Sequence, residues 1–236
     1  MAHLLKYSGT HVQKVGHKNR KGIKMSTLIA VPCMDTLPVD FVQSLIFMHK
    51  GENPGVYLKP NSLVYDSRNL LSLYAIEHGF DQVLWLDSDM VFEPDILLKL
   101  QAHDLEMVTG LYVKRYQPTE PVIYKTINIP KVNKRTGTLE KNIKAYTEYP
   151  QKKLFRVAGC GFGCVLTKTS LLKKVWDNFG PAFNPLPWAG EDISFCYRVK
   201  QLGLPIFCDS SVSCGHIGKK IFTEQDLQRG EENGED

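Results

Sequence analysis

The feature that most constrains the fold is an uninterrupted apolar run, residues 83–86 (Val-Leu-Trp-Leu), that leads directly into Asp87-Ser88-Asp89. This run predicts a strand over residues 82–86 that is buried on both faces, as in a sheet covered by helices. Acidic residues at the end of such a strand fall where open α/β sheets bind ligands. We therefore expect an α/β protein with a polar site at this strand end.

The rest of the first half alternates strand-like and helix-like segments. This alternation predicts a mostly parallel central sheet with helices on both faces. Residues 107–113 are predicted to be two short strands separated by Gly110. Further strands are predicted at 27–31, 56–58 and 204–208, and helices at 41–49, 62–78, 94–103, 171–179 and 191–202. Between 121 and 157 the alternation stops, and short β-rich pieces around the polar turn Asn133–Gly137 predict an antiparallel flap.

Charge is uneven along the 236 residues. Residues 1–24 carry six basic side chains and no acid, and residues 221–236 carry six acids against Arg229. We interpret these as a basic N-terminal and an acidic C-terminal tail around a single domain at 25–220. The domain is only mildly basic, so charge alone does not indicate nucleic-acid binding.

The six cysteines form no Cys-x-x-Cys pair, which favours reduced thiols in a cytoplasmic protein. The alternative is a zinc site drawn from Cys160, Cys164, Cys208, Cys214 and His216. No apolar run reaches the roughly 18 residues that span a bilayer, and no secretory signal is evident. These observations predict no integral membrane association.

Three acidic or imidazole side chains are candidate metal ligands. Asp87 and Asp89 are one residue apart at a strand end, where both can face one Mg²⁺ or Mn²⁺. His216 lies in Cys-Gly-His-Ile-Gly, where flanking glycines leave the ring free to turn. The alternatives are an Asp-rich turn and a structural histidine.

Two further groups are candidates for chemistry. Glu191 and Asp192 follow Gly190 and fall in a predicted first helical turn, where acids either complement the helix dipole or act as a general base. Arg68, early in the second helix, is either a solvated cation or a ligand for phosphate or a nucleobase. The segment Gly159–Gly163 is not a dinucleotide-binding loop, because an extended stretch follows it; its glycines are expected to let backbone approach a substrate.

The order of these motifs resembles that of family 2-like GT-A glycosyltransferases, the small stand-alone kind often carried by bacteria and their phages. The matching segments span about residues 27–218. They are 29–32 (Ile-Ala-Val-Pro), 67–69 (Ser-Arg-Asn), 84–92 (Leu-Trp-Leu-Asp-Ser-Asp-Met-Val-Phe), 109–112 (Thr-Gly-Leu-Tyr), 159–163, 190–198 (Gly-Glu-Asp-Ile-Ser-Phe-Cys-Tyr-Arg) and 215–218 (Gly-His-Ile-Gly).

The resemblance implies a role for each matching residue. Asp89 and His216 would bind the metal, and Asp87 would contact ribose or metal. Asp192 would be the general base, with Glu191 supporting the loop. The nucleotide side would include Pro32, Arg68, Asp87 and Ser88, and the acceptor side would include Trp188 and Gly161.

The resemblance also implies a reaction. A sugar would pass from a nucleotide sugar, with a UDP-sugar as the predicted donor, to an acceptor hydroxyl with Mn²⁺ or Mg²⁺ as cofactor, and inversion is favoured. Candidate acceptors are a glycan precursor, a peripheral glycolipid, a protein or hydroxymethylated phage DNA. A sugar nucleotidyltransferase is an alternative, although no basic Gly-rich loop follows the first strand. A non-catalytic sugar or nucleic-acid binding module is another, and its support is the N-terminal tail with Lys131, Lys134, Arg135 and Lys141.

Overall fold

A computed structural model describes residues 25–51, 54–116, 118–218 and 221–224. The predicted N-terminal tail and nearly all of the predicted C-terminal tail lie outside these ranges. The helices are α1 (Val39–Phe47), α2 (Val64–Glu77), α3 (Ile96–Gln101), α4 (Thr169–Phe179) and α5 (Glu191–Gln201). The strands are β1 (Thr27–Pro32), β2 (Pro54–Lys59), β3 (Gln82–Leu86), β4 (Met90–Val91), β5 (Met107–Leu111), β6 (Ile123–Val132), β7 (Leu139–Ala145), β8 (Leu154–Val157), β9 (Gly159–Cys160), β10 (Cys164–Lys168), β11 (Ile206–Ser213), β12 (Gly215–Ile217) and β13 (Ile221–Phe222).

The central sheet has seven strands in the order β2-β1-β3-β10-β5-β11-β8. Strands β1, β2 and β3 are mutually parallel, and β5 is parallel to β11. Strand β10 lies antiparallel between β3 and β5, and β8 is an antiparallel edge strand on β11. The predicted α/β architecture with a mostly parallel sheet is confirmed, and it is the architecture that the resemblance to GT-A enzymes implied.

Helices cover both faces of the sheet because successive strand residues point to opposite sides. In β1, Leu28 and Ala30 pack in a core cluster with residues of α2, α4 and α5. Their neighbours Ile29 and Val31 pack in a second cluster with residues of α1 and α3. This double burial explains why the strand residues form an uninterrupted apolar run.

Gly110 does not divide two strands, so that prediction is wrong. Strand β5 runs unbroken from Met107 to Leu111. A Cβ added to Gly110 would lie 3.1 Å from the Val212 carbonyl oxygen and 3.2 Å from its Cγ1. The glycine permits close approach of β11 at the point where its register shifts. The last central strand is also longer than predicted, ending at Ser213 rather than at residue 208.

The predicted flap is confirmed as an antiparallel hairpin of β6 and β7. The Asn133 side-chain oxygen accepts the backbone N–H groups of Arg135 and Thr136, and Gly137 has φ +69°. Two smaller three-stranded sheets, β13-β12-β4 and β7-β6-β9, flank the central one. Strand β13 pairs antiparallel with β12. In the described ranges, the structure has no helix with the length and hydropathy to cross a membrane.

Candidate active site

Three parts of the chain meet where β3 ends. The turn after β3 supplies Asp87 and Asp89, the first turn of α5 supplies Glu191 and Asp192, and α2 places Arg68 between them. Helix α5 begins directly after Gly190, as the sequence predicted. The acids of α5 therefore lie at the positive end of a helix dipole.

Arg68 is the buried centre of this arrangement. Its guanidinium is 2% exposed and donates from Nη2 to Asp87 Oδ1 at 2.7 Å and from Nη1 to Glu191 Oε1 at 2.5 Å. The guanidinium carbon also lies 5.2 Å from the centre of the Phe162 ring. Burial alone would lower the pKa of Arg68, but the two carboxylates raise it above its ordinary value. Arg68 thus stays charged and ties β3 to α5, and contact with a nucleotide stays a prediction.

Among the acids of the site, Asp192 has a raised pKa. Burial, followed by the charge of Glu191, raises its pKa from an ordinary 3.8 to about 6, although the charge of Arg68 lowers it. One carboxylate oxygen, Oδ1, accepts the Ile193 N–H at 2.6 Å. A carboxylate with a pKa near 6 accepts a proton more readily at neutral pH than an ordinary aspartate. The predicted base role stays a prediction that this environment supports.

Asp89 and His216 face each other across the second sheet, where His216 pairs with Met90. Asp89 Oδ2 lies 3.4 Å from His216 Nε2 and 2.5 Å from Arg115 Nη1. Burial would raise the pKa of Asp89, but the hydrogen bond and charge of His216 and the charge of Arg115 lower it. Burial would lower the pKa of His216, but Asp89 and the Val113 carbonyl raise it.

The same pair has the donor chemistry of a metal site. His216 Nδ1–H donates to the Val113 carbonyl at 2.8 Å, which turns Nε2 toward Asp89. Metal-binding histidines are commonly oriented in this way, and Mn²⁺ accepts nitrogen and oxygen ligands. Asp87 is turned toward Arg68 instead, and no group of three His, Cys, Asp or Glu ligands forms within the described residues. The structure therefore brings together two of the three predicted ligands.

The zinc alternative gains no support from the structure. All six cysteines are free thiols. In the part of the chain that the structure describes, none of them joins two further ligating side chains in a metal-binding group.

Tyr112 explains why two of the glycines in 159–163 are needed. A Cβ on Gly161 would lie 2.1 Å from the Tyr112 hydroxyl, and one on Gly163 would lie 2.8 Å from its ring. The Tyr112 hydroxyl also accepts the Gly163 N–H at 3.2 Å. Gly161 is thus required by packing against a buried phenol, and contact with an acceptor stays a prediction. As expected, a strand (β10) and not a helix follows this segment.

The loop before α5, residues 181–190, is held from two sides. Asn69 accepts the Phe183 N–H at 2.8 Å and donates to Asn184 Oδ1 at 2.9 Å. Arg198 donates to the carbonyls of Ala182 and Asn184. Near the end of this loop, Trp188 is half-buried, with its ring 5.1 Å from that of Tyr197. The loop is fixed in place, and its predicted acceptor role stays a prediction.

Pro32 and Ser88 complete the predicted nucleotide side. Pro32 is buried at the end of β1, in register with Lys59 of β2, and Ser88 is half-buried in the turn after β3. Both positions are at carboxyl ends of adjacent parallel strands, where α/β sheets bind ligands.

The sequence did not assign roles to three residues near the acids. Arg115 contacts Asp89. Burial raises the pKa of Tyr112 and of Tyr124; the charges of Asp87 and Asp192 raise that of Tyr112 further, and the charge of Asp192 raises that of Tyr124. Tyr112 lies in the matching segment 109–112, but the resemblance implied no role for it. Nothing in the spacing of Arg115 or Tyr124 indicated the site, because the connections after β5 bring them there.

Known proteins resemble this chain in fold, and none of the comparisons assigns it to a family. No protein-family model matches the sequence, and no curated protein is detectably similar to it. Among solved structures, A197 from STIV superposes with a TM-score of 0.61 at 20% identity, covering 84% of this chain and 94% of that one. GalNAc-T7, solved with UDP, GalNAc and Mn²⁺, superposes with a TM-score of 0.48 at 12% identity, covering 83% of this chain and 44% of that one. At such low identity the likeness to A197 concerns the fold: the chain has the same α/β fold as A197 from STIV.

Proposed function

We propose that this chain is a metal-dependent GT-A glycosyltransferase that transfers a sugar from a UDP-sugar to an acceptor hydroxyl with inversion. The observation that carries the proposal is the arrangement at the end of β3. There, Asp192, whose pKa is raised, lies beside Asp87 and Glu191, which Arg68 links to each other. Asp89, on the same turn as Asp87, faces His216 of β12. The catalytic domain is proposed to be residues 25–220, and the seven ordered sequence motifs support the family assignment.

Asp89 and His216 would hold Mn²⁺ or Mg²⁺, and Asp87 would add a ligand through Oδ2, since Arg68 binds its Oδ1. Bound there, the metal would offset negative charge on the leaving diphosphate. Arg68 keeps Asp87 and Glu191 in fixed positions, since its two terminal nitrogens bind one carboxylate each. The site would thereby hold donor and acceptor in one orientation.

Asp192 would take the proton from the acceptor hydroxyl as its oxygen attacks the anomeric carbon. The new C–O bond forms as the bond from the anomeric carbon to the diphosphate breaks, and the electron pair leaves with UDP. Glu191 is the weaker candidate for this role, because its Oε1 is held by the charged Arg68 guanidinium, which favours the ionised carboxylate. Trp188, at the end of the fixed loop, would line the acceptor side.

Binding of UDP in the presence of metal tests the donor assignment. UDP at about one hundred times its Kd should stabilise the fold by about 2.7 kcal/mol. At roughly 2–4 °C per kcal/mol for a chain of this size, the melting midpoint should rise by roughly 5–10 °C. Thermal shift with UDP and Mn²⁺ measures it, with UDP plus a chelator as the control. If UDP, GDP and dTDP all leave the midpoint unchanged with metal present, the proposal is wrong.

Arg115→Gln should tighten Mn²⁺ binding. Arg115 forms an ion pair with Asp89 and is half-exposed, so it competes with a cation for the same carboxylate. An exposed pair is worth about 0–1 kcal/mol, which limits the gain to roughly fivefold. Titration calorimetry with Mn²⁺ measures it, and Arg135→Gln on the flap removes the same charge as a control. Weaker Mn²⁺ binding in Arg115→Gln would mean that Arg115 orders Asp89 instead.

A sugar nucleotidyltransferase is the second candidate, because it also uses paired acids and Mg²⁺ at the end of a sheet strand. The loop after β1, residues 33–38, contains no basic residue to hold a triphosphate, which favours glycosyl transfer. Product analysis separates the two reactions: transfer releases a nucleoside diphosphate, whereas nucleotidyl transfer releases pyrophosphate.

A further inference from the structure

Positive charge is high in residues 121–158, a segment that contains the β6–β7 hairpin of the flap and strand β8 of the central sheet. This segment contains nine basic and two acidic residues, a formal net charge of +7, whereas the whole chain carries +4. The predicted N-terminal tail is a second basic block, and the rest of the chain is net acidic. A basic block on such a protein attracts a polyanion.

Four cations of the β6–β7 hairpin lack an acidic partner among the described residues. Lys131, Lys134, Arg135 and Lys144 are exposed, and none of them forms an ion pair with another described residue. The hairpin acid Glu140 instead accepts a hydrogen bond from the Asn133 side chain at 2.5 Å. The hairpin thus presents its positive charge to solvent.

The root of the flap is attached to the candidate active site. In β6, Ile123 and Tyr124 pair with Cys160 and Gly159 of β9. Farther along the same strand, Lys200 of α5 donates to the Ile127 carbonyl at 3.1 Å and to Asn128 Oδ1 at 2.7 Å. At the start of the hairpin, Tyr124 is close enough to Asp192 for that carboxylate to raise the pKa of the phenol, so the root of the hairpin lies near the proposed base.

We infer that the flap hairpin is a docking surface for a nucleic acid, which brings its acceptor hydroxyl to Asp192. The identity of the acceptor rests on the proposed function, whereas binding to the flap does not. A two-stranded ribbon fits the major groove of duplex DNA. The turn at 133–138 (Asn-Lys-Arg-Thr-Gly-Thr) has no apolar side chain of the kind that anchors a protein in a membrane interface.

Salt-dependent binding to DNA tests the inference. The probe is a fluorescein-labelled duplex of about 20 base pairs, and anisotropy gives the affinity of the full chain. If about three phosphates are neutralised, affinity falls about 40-fold between 50 and 200 mM salt. The triple variant Lys131→Gln, Lys134→Gln, Arg135→Gln should bind at least about tenfold more weakly at low salt and show a flatter salt dependence.

The matched control removes three exposed lysines from α3 and α4 with Lys99→Gln, Lys173→Gln and Lys174→Gln. It should bind DNA nearly as well as the unmodified chain. Equal weakening in both triple variants would overturn the inference, as would the absence of salt-dependent binding or tighter binding to phosphatidylglycerol vesicles than to DNA. The thermal shift with UDP and Mn²⁺ separates the two proposals. A normal shift without DNA binding removes only the docking surface, and DNA binding without any shift removes only the transferase assignment.

Discussion

Asp192→Asn is expected to lower turnover by about 10²–10⁴-fold, the usual worth of general base catalysis. Asparagine keeps the size of the side chain and the oxygen that accepts the Ile193 N–H, but it does not take a proton. UDP affinity in the presence of Mn²⁺ should be nearly unchanged. Single-turnover kinetics beside UDP titration measure the two effects separately, and loss of UDP affinity would instead indicate a metal ligand or a structural residue.

The pH profile gives the same prediction a second measurement. Because the pKa of Asp192 is raised to about 6, the active carboxylate is lost as pH falls through 6, and the rate should fall about tenfold per unit below it. The sign for stability is opposite. An acid whose pKa is higher in the folded than in the unfolded state favours folding below the unfolded pKa. For Asp192 that contribution is lost as pH rises through about 6. Asp192→Asn should therefore melt higher than the unmodified chain at pH 8.

Glu191→Gln is the matched control for the base, and it should cost less turnover. Its Oε1 accepts a hydrogen bond from Arg68, so its main expected role is to hold the start of α5 against α2. The reverse ranking of the two variants would exchange the two roles. A product with retained anomeric configuration would remove the base role of Asp192 even if turnover falls.

Asp89→Ala is expected to abolish transfer and Mn²⁺ binding together. Metal stabilisation of a leaving group is worth several kcal/mol, or more than about 10²–10³-fold in rate. The fold should survive, since the Asp89 carbonyl still accepts the Ile217 N–H at 2.7 Å and the lost carboxylate is partly exposed. Transfer assays and calorimetry with Mn²⁺ measure the two losses.

Asp177→Ala, which removes an exposed acid from α4, should leave both activity and Mn²⁺ binding intact. Full activity of Asp89→Ala, or activity of the unmodified chain in excess chelator, would contradict the metal assignment.

Much of the fold was predictable because its signals are local. The apolar run before Asp87 predicted a strand buried on both faces, and Gly190 with two acids predicted the start of α5; both are confirmed. The place of β10 in the middle of the sheet was not predictable, since strand order is set by pairing across the chain and not by local pattern. Gly110 was misinterpreted for the same reason: its constraint is Val212, about one hundred residues later.

The candidate site shows the same division. The motifs located the acids, but they did not indicate which side chain each acid pairs with. Asp87 was predicted to face a metal with Asp89, whereas the structure ties it to Arg68 and leaves Asp89 with His216 and Arg115. Ion-pair partners depend on which helix begins beside a given strand end. The distance in space between those two elements does not follow from their spacing in the sequence.

The antiparallel strand between β3 and β5 has a consequence for how the protein is made. Its residues, 164–168, are synthesised more than fifty positions after β5, so the nascent sheet lacks its middle strand until then. Before that point no strand bridges β3 and β5. The Asp87 N–H also lacks its acceptor, the Gly163 carbonyl. Such long-range pairing slows folding. The acids of the site are therefore expected to reach their final positions only after most of the chain has left the ribosome.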